Sequence, residues 1–167
     1  AFSSMIIRLT VDHLHLVGDI YDRGPGPHFI IEDLMAYHSL DIQWGNHDVL
    51  WMGAALGSET CIATVVRNSL HYDNTDVLER GYGISLRPLT TFASRSYPDA
   101  NPIKAAEKAI TMMMFKLEGQ LIRRHPEYQM DSRLLLDKID FRSSHAVLGD
   151  GKRYELESAY FPTIDED

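Results

Sequence analysis

Val11-Asp12-His13-Leu14-His15-Leu16-Val17-Gly18-Asp19-Ile20-Tyr21-Asp22-Arg23-Gly24 is the stretch on which the reading of this chain turns. Its apolar run, Leu14 to Val17, stops at Gly18-Asp19, the pattern of a strand feeding a tight loop. The strand is expected to begin near Val11. Pro25, Gly26 and Pro27 exclude regular structure immediately afterwards. From His28 to Ser39 apolar residues recur at helical spacing, at Phe29, Ile30, Leu34 and Tyr37, with Ile31 and Met35 beside them. Asp41 to Trp44 is the next candidate strand, and it also runs into a glycine loop, Gly45-Asn46-His47-Asp48. Strand, loop, helix, strand, loop is a βαβ crossover of about the minimum length for parallel pairing. Both loops then fall at the C-terminal ends of neighbouring parallel strands, where open α/β sheets bind ligands.

Further along, the pattern becomes mainly helical. Asp48 to Leu56 and Ser58 to Leu70 read as two helices parted at Gly57. Tyr72 to Pro98 is mixed, broken by Gly81 and Gly83, with a helix expected over Thr90 to Tyr97. Asn101 and Pro102 give a helix start, N-cap and first position, for a helix running from Ile103 to about Arg124. His125-Pro126 ends it, since the residue before proline resists helical geometry. Within it, Met112-Met113-Met114-Phe115 reads as core packing. Ile139 to Leu148 and Lys152 to Leu156 flank Gly149-Asp150-Gly151, a hairpin signal. The reading is therefore α/β: a parallel βαβ core over residues 1–98, continued over 99–167 by a long helix and a β-hairpin of the same larger domain. Thr163 to Asp167 is acidic and closes no element.

Bulk properties exclude several classes. With 44% hydrophobic and 24% charged residues, the chain has ordinary globular composition. A net charge of -8 is the wrong sign for a dedicated nucleic-acid binder. It does not disfavour a phosphorylated substrate, because bound cations reset the local field. No segment is apolar for long enough to span a bilayer, and no signal peptide is evident. The single cysteine, Cys61, excludes an internal disulfide framework, fits a reducing cytoplasm, and lies in an apolar run that suits a core thiol.

The two loops carry the chemistry. A hard divalent cation that activates water needs fixed oxygen and nitrogen donors and an open coordination position. The carboxylate of Asp19, leaving one strand, suits a bridge between two such ions, and Asn46, leaving the next, can offer its amide oxygen. His47 is placed to give a proton to a leaving oxygen. Asp22 is the natural carboxylate partner, since a neighbouring carboxylate favours a protonated imidazole. Arg23 can hold phosphate oxygens with its planar fork of donors. Gly18, Gly24 and Gly45 are expected to let the backbone turn tightly. His13 and His15 share a strand face but precede its end, so a packing or surface role is expected. His28, His38 and His71 read as helix-end or surface residues, His125 as a cation at a helix C-terminus, and His145 as exposed.

Gly18-Asp19-Ile20-Tyr21-Asp22-Arg23-Gly24 and Gly45-Asn46-His47-Asp48 resemble motifs of the calcineurin-like metallophosphoesterases. The surrounding residues, Val11 to Pro25 and Tyr37 to Ala54, together with Phe115-Lys116-Leu117-Glu118-Gly119-Gln120 and Arg133 to Ile139, look like the class III fructose-1,6-bisphosphatases of Firmicutes. The resemblance extends from about Ile6 to about Pro162. It implies a manganese-dependent hydrolase that removes the 1-phosphate of fructose 1,6-bisphosphate in gluconeogenesis, using a metal-bridging hydroxide, with a sugar bisphosphate as partner and neither nucleic acid nor membrane. By position, it makes Asp19 and Asn46 metal ligands, His47 the general acid, Asp22 its orienting carboxylate and Arg23 a phosphate contact. Protein Ser/Thr phosphatases and dinucleoside polyphosphate hydrolases share both motifs, although their second more often ends in Glu. A non-catalytic relic or interaction module is the reading from a different class. The resemblance also implies an upstream D-x-H, absent here, and later histidine motifs beyond Asp167. Two donors of roughly six would hold a binuclear centre weakly, so the chain is expected to be inactive by itself and to leave a sheet edge or apolar face uncovered.

Overall fold

The computed structural model describes residues 2–156. They group into two compact units, divided in the chain between Ser85 and Leu86. The first opens with a helix, α1 (Phe2–Thr10), where no element was expected. Its apolar side chains are largely exposed, Phe2 at 81% and Leu9 at 71%. A nine-residue helix is marginal without a partner for its apolar face. The signal was nevertheless present, since Phe2, Met5, Ile6 and Leu9 recur at helical spacing.

The βαβ unit forms as expected, with shorter elements. Strand β1 (Leu14–Leu16) pairs in parallel with β2 (Leu40–Ile42), in the register Leu14↔Leu40, His15↔Asp41 and Leu16↔Ile42. The N–H of Gln43 donates to the carbonyl of Leu16 at 2.9 Å and extends the ladder toward the second loop. Between the strands, α2 (Pro27–Met35) starts one residue earlier and ends four residues sooner than its apolar pattern suggested. Pro27 opens the helix instead of excluding it: Gly26 (φ +74°) takes the left-handed N-cap, and a proline at the first helical position forgoes an N–H that has no intrahelical partner. Helix α3 (Asn46–Ala55) begins on the second loop and packs against α4 (Glu59–His71). Gly53 makes that packing close, since a Cβ there would lie 2.6 Å from Cys61 Sγ. Cys61 is half-buried in this contact. A single π-helical turn (Val77–Gly81) follows, anchored by Val77 and Leu78, each 2% exposed.

In the second unit, α5 (Arg87–Ser96) packs on α6 (Pro102–Arg124) through Ala93, Ala105, Ala106 and Ala109, all fully buried. Asn101 caps α6 by accepting from the N–H of Ile103 at 3.0 Å, and the helix ends before His125-Pro126. Met112 and Met114 are buried, as core packing requires. The expected two-stranded hairpin is a three-stranded antiparallel sheet, β3 (Ile139–Asp140), β4 (His145–Val147) and β5 (Arg153–Glu155). Asp140 splits the first run by accepting from the N–H groups of Arg142 and Ser143 and from the Ser143 hydroxyl, an Asx-type turn. His145 is half-buried within β4 and not exposed as its hairpin position suggested. The acidic stretch Thr163 to Asp167 lies outside the described residues.

The first unit shows why the two loops touch. Gly18 has φ +88°, and a Cβ there would sit 2.4 Å from both the carbonyl oxygen of Gln43 and the nitrogen of Gly45. Gly24 has open space around it, so the tight-turn role expected of it is not needed. Gly18→Ala is therefore expected to cost more than about 2 kcal/mol, because a strained φ and a backbone clash add. Gly24→Ala should change stability by less than about 0.5 kcal/mol. Urea unfolding of the two variants checks the contrast.

Candidate active site

Gly45 completes the approach from the other side: a Cβ on it would meet Asp19 Oδ1 at 2.1 Å. Asp19 itself is left-handed (φ +53°), a conformation that Asp tolerates better than most residues. This turn aims its N–H across to α3, at Asp48. The Asp48 carboxylate, 1% exposed, accepts from the N–H of Asp19 at 2.6 Å, of Gly45 at 2.9 Å and of Tyr21 at 3.0 Å. One side chain thus satisfies backbone donors on both loops. Its bond to Gly45 is the acidic half of a capping box, and the helix N-terminus favours a carboxylate there. A reciprocal bond runs from the N–H of His47 to Asp19 Oδ1 at 3.3 Å.

His47 and Asp22 meet on this frame, with His47 Nε2 3.1 Å from Asp22 Oδ1. Arg23 approaches the same carboxylate from its own loop, Nε to Oδ1 at 3.0 Å and Nη2 to Oδ2 at 3.3 Å. The guanidinium lies over the Tyr72 ring, 5.0 Å from its centroid. Hydrogen bonds from Arg23 hold the Asp22 carboxyl below the usual carboxylate range; partial desolvation opposes this, and the charges of His47 and Arg23 add to it. A depressed folded-state value means that ionised Asp22 contributes stability above its unfolded-state value. That contribution is lost as pH falls through the folded one. A cavity of about 20 Å³, room for one water, lies among Asp22, His47, Asn68, Ser69 and Asn74.

Asp19 and Asn46 lie on the touching loops, both exposed. An aspartate and an amide oxygen suit a hard divalent cation in kind. They do not suffice in number: among the described residues no three His, Cys, Asp or Glu side chains come together as a metal site. His13 and His15 do not join them. His13 Nε2 and His15 Nδ1 both bond Asp41 on the neighbouring strand, at 2.8 and 2.9 Å, in the surface role expected of them.

Asp48 stands within the second motif, yet its residue type alone suggested no role for it. The signal was present, since an acidic residue three positions after an N-cap is a helix-start signature. Tyr72, Tyr82 and Asn74, which also touch the first loop, carried no such signal.

Taken together, the loops bring Asp19, Asp22, Arg23, Asn46 and His47 to one edge of a parallel α/β unit. The whole chain, residues 1–167, matches the family model described as Firmicute fructose-1,6-bisphosphatase. The chain belongs to that family. It is 50% identical over 185 residues to a class 3 fructose-1,6-bisphosphatase of Clostridium beijerinckii, covering 99% of this chain and 28% of the relative. It is 50% identical to that of Clostridium novyi and 48% identical to that of Bacteroides thetaiotaomicron, with the same two shares. The chain therefore spans little more than a quarter of the length of these relatives. No solved structure matches it.

Asp48→Ala would leave three N–H groups without their acceptor, two of them on the Asp19 loop. It is expected to destabilise the protein by on the order of 3 kcal/mol, read as a lowered urea midpoint.

Proposed function

We propose that this chain carries the acid–base and phosphate-holding side of a fructose-1,6-bisphosphatase active site. The observation that supports it most is the convergence of His47, Asp22 and Arg23 on one another, beside Asp19 and Asn46, in a chain of this family. The reaction is hydrolysis of the 1-phosphate of fructose 1,6-bisphosphate, and its setting is cytoplasmic gluconeogenesis. Among the described residues, no helix is long and apolar enough to cross a membrane.

Each residue then has a defined task. Asp22 engages Nε2 of His47 and orients the ring, leaving Nδ1 as the nitrogen that gives a proton to the departing sugar oxygen. Arg23 spends two of its five donors on Asp22 and keeps the others for phosphate oxygens. Asp19 and Asn46 would hold manganese, which when bound supplies Lewis-acid and water-activating chemistry. They supply too few donors for a complete centre, so activity belongs to the full-length protein and not to this chain alone.

In the full-length protein, His47→Gln is expected to lower kcat for fructose 1,6-bisphosphate by about 10²- to 10⁴-fold with metal content unchanged. Wild-type kcat in that variant would refute the assignment of His47. Hydrolysis of a phosphopeptide or a dinucleoside polyphosphate in preference to the sugar bisphosphate would refute the substrate.

A further inference from the structure

Asp22 is fixed by more than its own loop. The segment after α4 returns to that loop at three points, each close to Asp22 in sequence. Tyr72 lies under the Arg23 guanidinium, 5.0 Å from ring centroid to Cζ. Asn74 Nδ2 donates to the carbonyl of Gly24 at 3.4 Å. The Tyr82 hydroxyl meets the Tyr21 hydroxyl at 2.5 Å. Tyr21 is in turn stacked on Trp51 of α3, with ring centroids 4.7 Å apart, and donates its N–H to Asp48. Contacts therefore fall on Tyr21, Arg23 and Gly24, and Asp22 lies between the first two.

The segment has the rigidity to act as a template. Val77 and Leu78 are buried plugs, and the π-helical turn they begin ends at Gly81, where a Cβ would stand 2.7 Å from His28 Nδ1. Tyr82 also packs edge-on to His28 and tilted on Trp51. A side chain held on several faces loses little further freedom when it makes one more bond. Moreover, a group held to within a fraction of an ångström is what proton transfer to a leaving group requires.

We propose that the segment from Tyr72 to Tyr82 is a positioning clamp for the reaction assigned above: Tyr72 sets the plane of the Arg23 guanidinium, and Tyr82, through Tyr21, sets the Asp22 carboxylate under His47. Tyr72 and Tyr82 are positioning residues; neither touches the reacting atoms. The proposal rests on the roles given to Asp22, Arg23 and His47.

Two measurements test it. In the full-length protein, Tyr72→Leu is expected to raise KM for fructose 1,6-bisphosphate about 3- to 5-fold, more than it lowers kcat, since a cation–π contact at a half-exposed site is worth about that factor. Tyr72→Phe keeps the ring face and should restore KM. Tyr82→Phe should lower kcat several-fold, and the Tyr21→Phe, Tyr82→Phe double variant should be no slower than Tyr82→Phe alone. Equal KM increases in Tyr72→Leu and Tyr72→Phe, or a double variant slowed by the product of the two single effects, would overturn the clamp. The second measurement is independent of turnover: in the 167-residue chain, the Arg23 Nε–H, bonded to Asp22, should exchange with water faster by NMR in Tyr72→Leu than in the wild type or Tyr72→Phe. Unchanged Arg23 Nε–H exchange in Tyr72→Leu would overturn the clamp even if the phosphatase reading held. A full-length wild type that left fructose 1,6-bisphosphate intact would refute the phosphatase reading, and the Arg23 Nε–H exchange would then decide the geometry by itself.

Discussion

Three backbone N–H groups from two separate loops converge on one buried carboxylate, and the arrangement of the site follows from that convergence. Burying an ionised group is costly unless its hydrogen-bonding capacity is met. Asp48 meets its own with donors from Asp19, Tyr21 and Gly45. Charge-assisted bonds of this kind are among the stronger ones in proteins. Because the donors come from both sides of the crossover, folding α3 onto the β1–β2 pair and aligning the loops are one event. The groups proposed to do the chemistry, Asp19 and Asn46 exposed and Asp22 and His47 half-buried, are carried on this frame.

Glycine placement is the steric counterpart of this electrostatic tie. At Gly18 and Gly45 the loops approach so closely that any side chain would strike the opposite backbone or Asp19. The strain of a left-handed Asp19 is tolerated because the turn directs its N–H at Asp48. The same sparse construction leaves much of the unit exposed. An apolar groove of about 710 Å³, lined by residues including Trp44, Met52, Ile62 and Ile84, opens beside the frame, and the sheet has two strands. Exposed apolar surface of this kind was expected for a chain with few strands to cover it. The chain also spans only 28% of the length of its relatives.

Much of this was legible in the residues. The alternation of an apolar run, a glycine loop and helical spacing gave the βαβ order, because each pattern has its own period. The pairing of His47 with Asp22 followed from residue chemistry alone. Element ends were less legible, since local bonds decide them: Gly26 as a left-handed N-cap brought Pro27 into α2, and Asp140 folded a turn into an apolar run. Helix α1 was missed although Phe2, Met5, Ile6 and Leu9 recur at helical spacing, because nine residues without a partner for their apolar face make a marginal helix. Tyr72 and Tyr82 were missed for a different reason. Their contacts with the first loop span about fifty to sixty residues of chain, and no local pattern encodes a tertiary contact.

The tie at Asp48 is most directly tested by amide hydrogen exchange of the chain. Loop N–H groups at the end of a short two-stranded sheet ordinarily exchange fast. Bonded to a buried carboxylate, the N–H groups of Asp19, Tyr21 and Gly45 should instead be protected, and should exchange together at the rate at which the first unit opens. Exchange of these three amides at the rate of an unprotected loop would contradict the account.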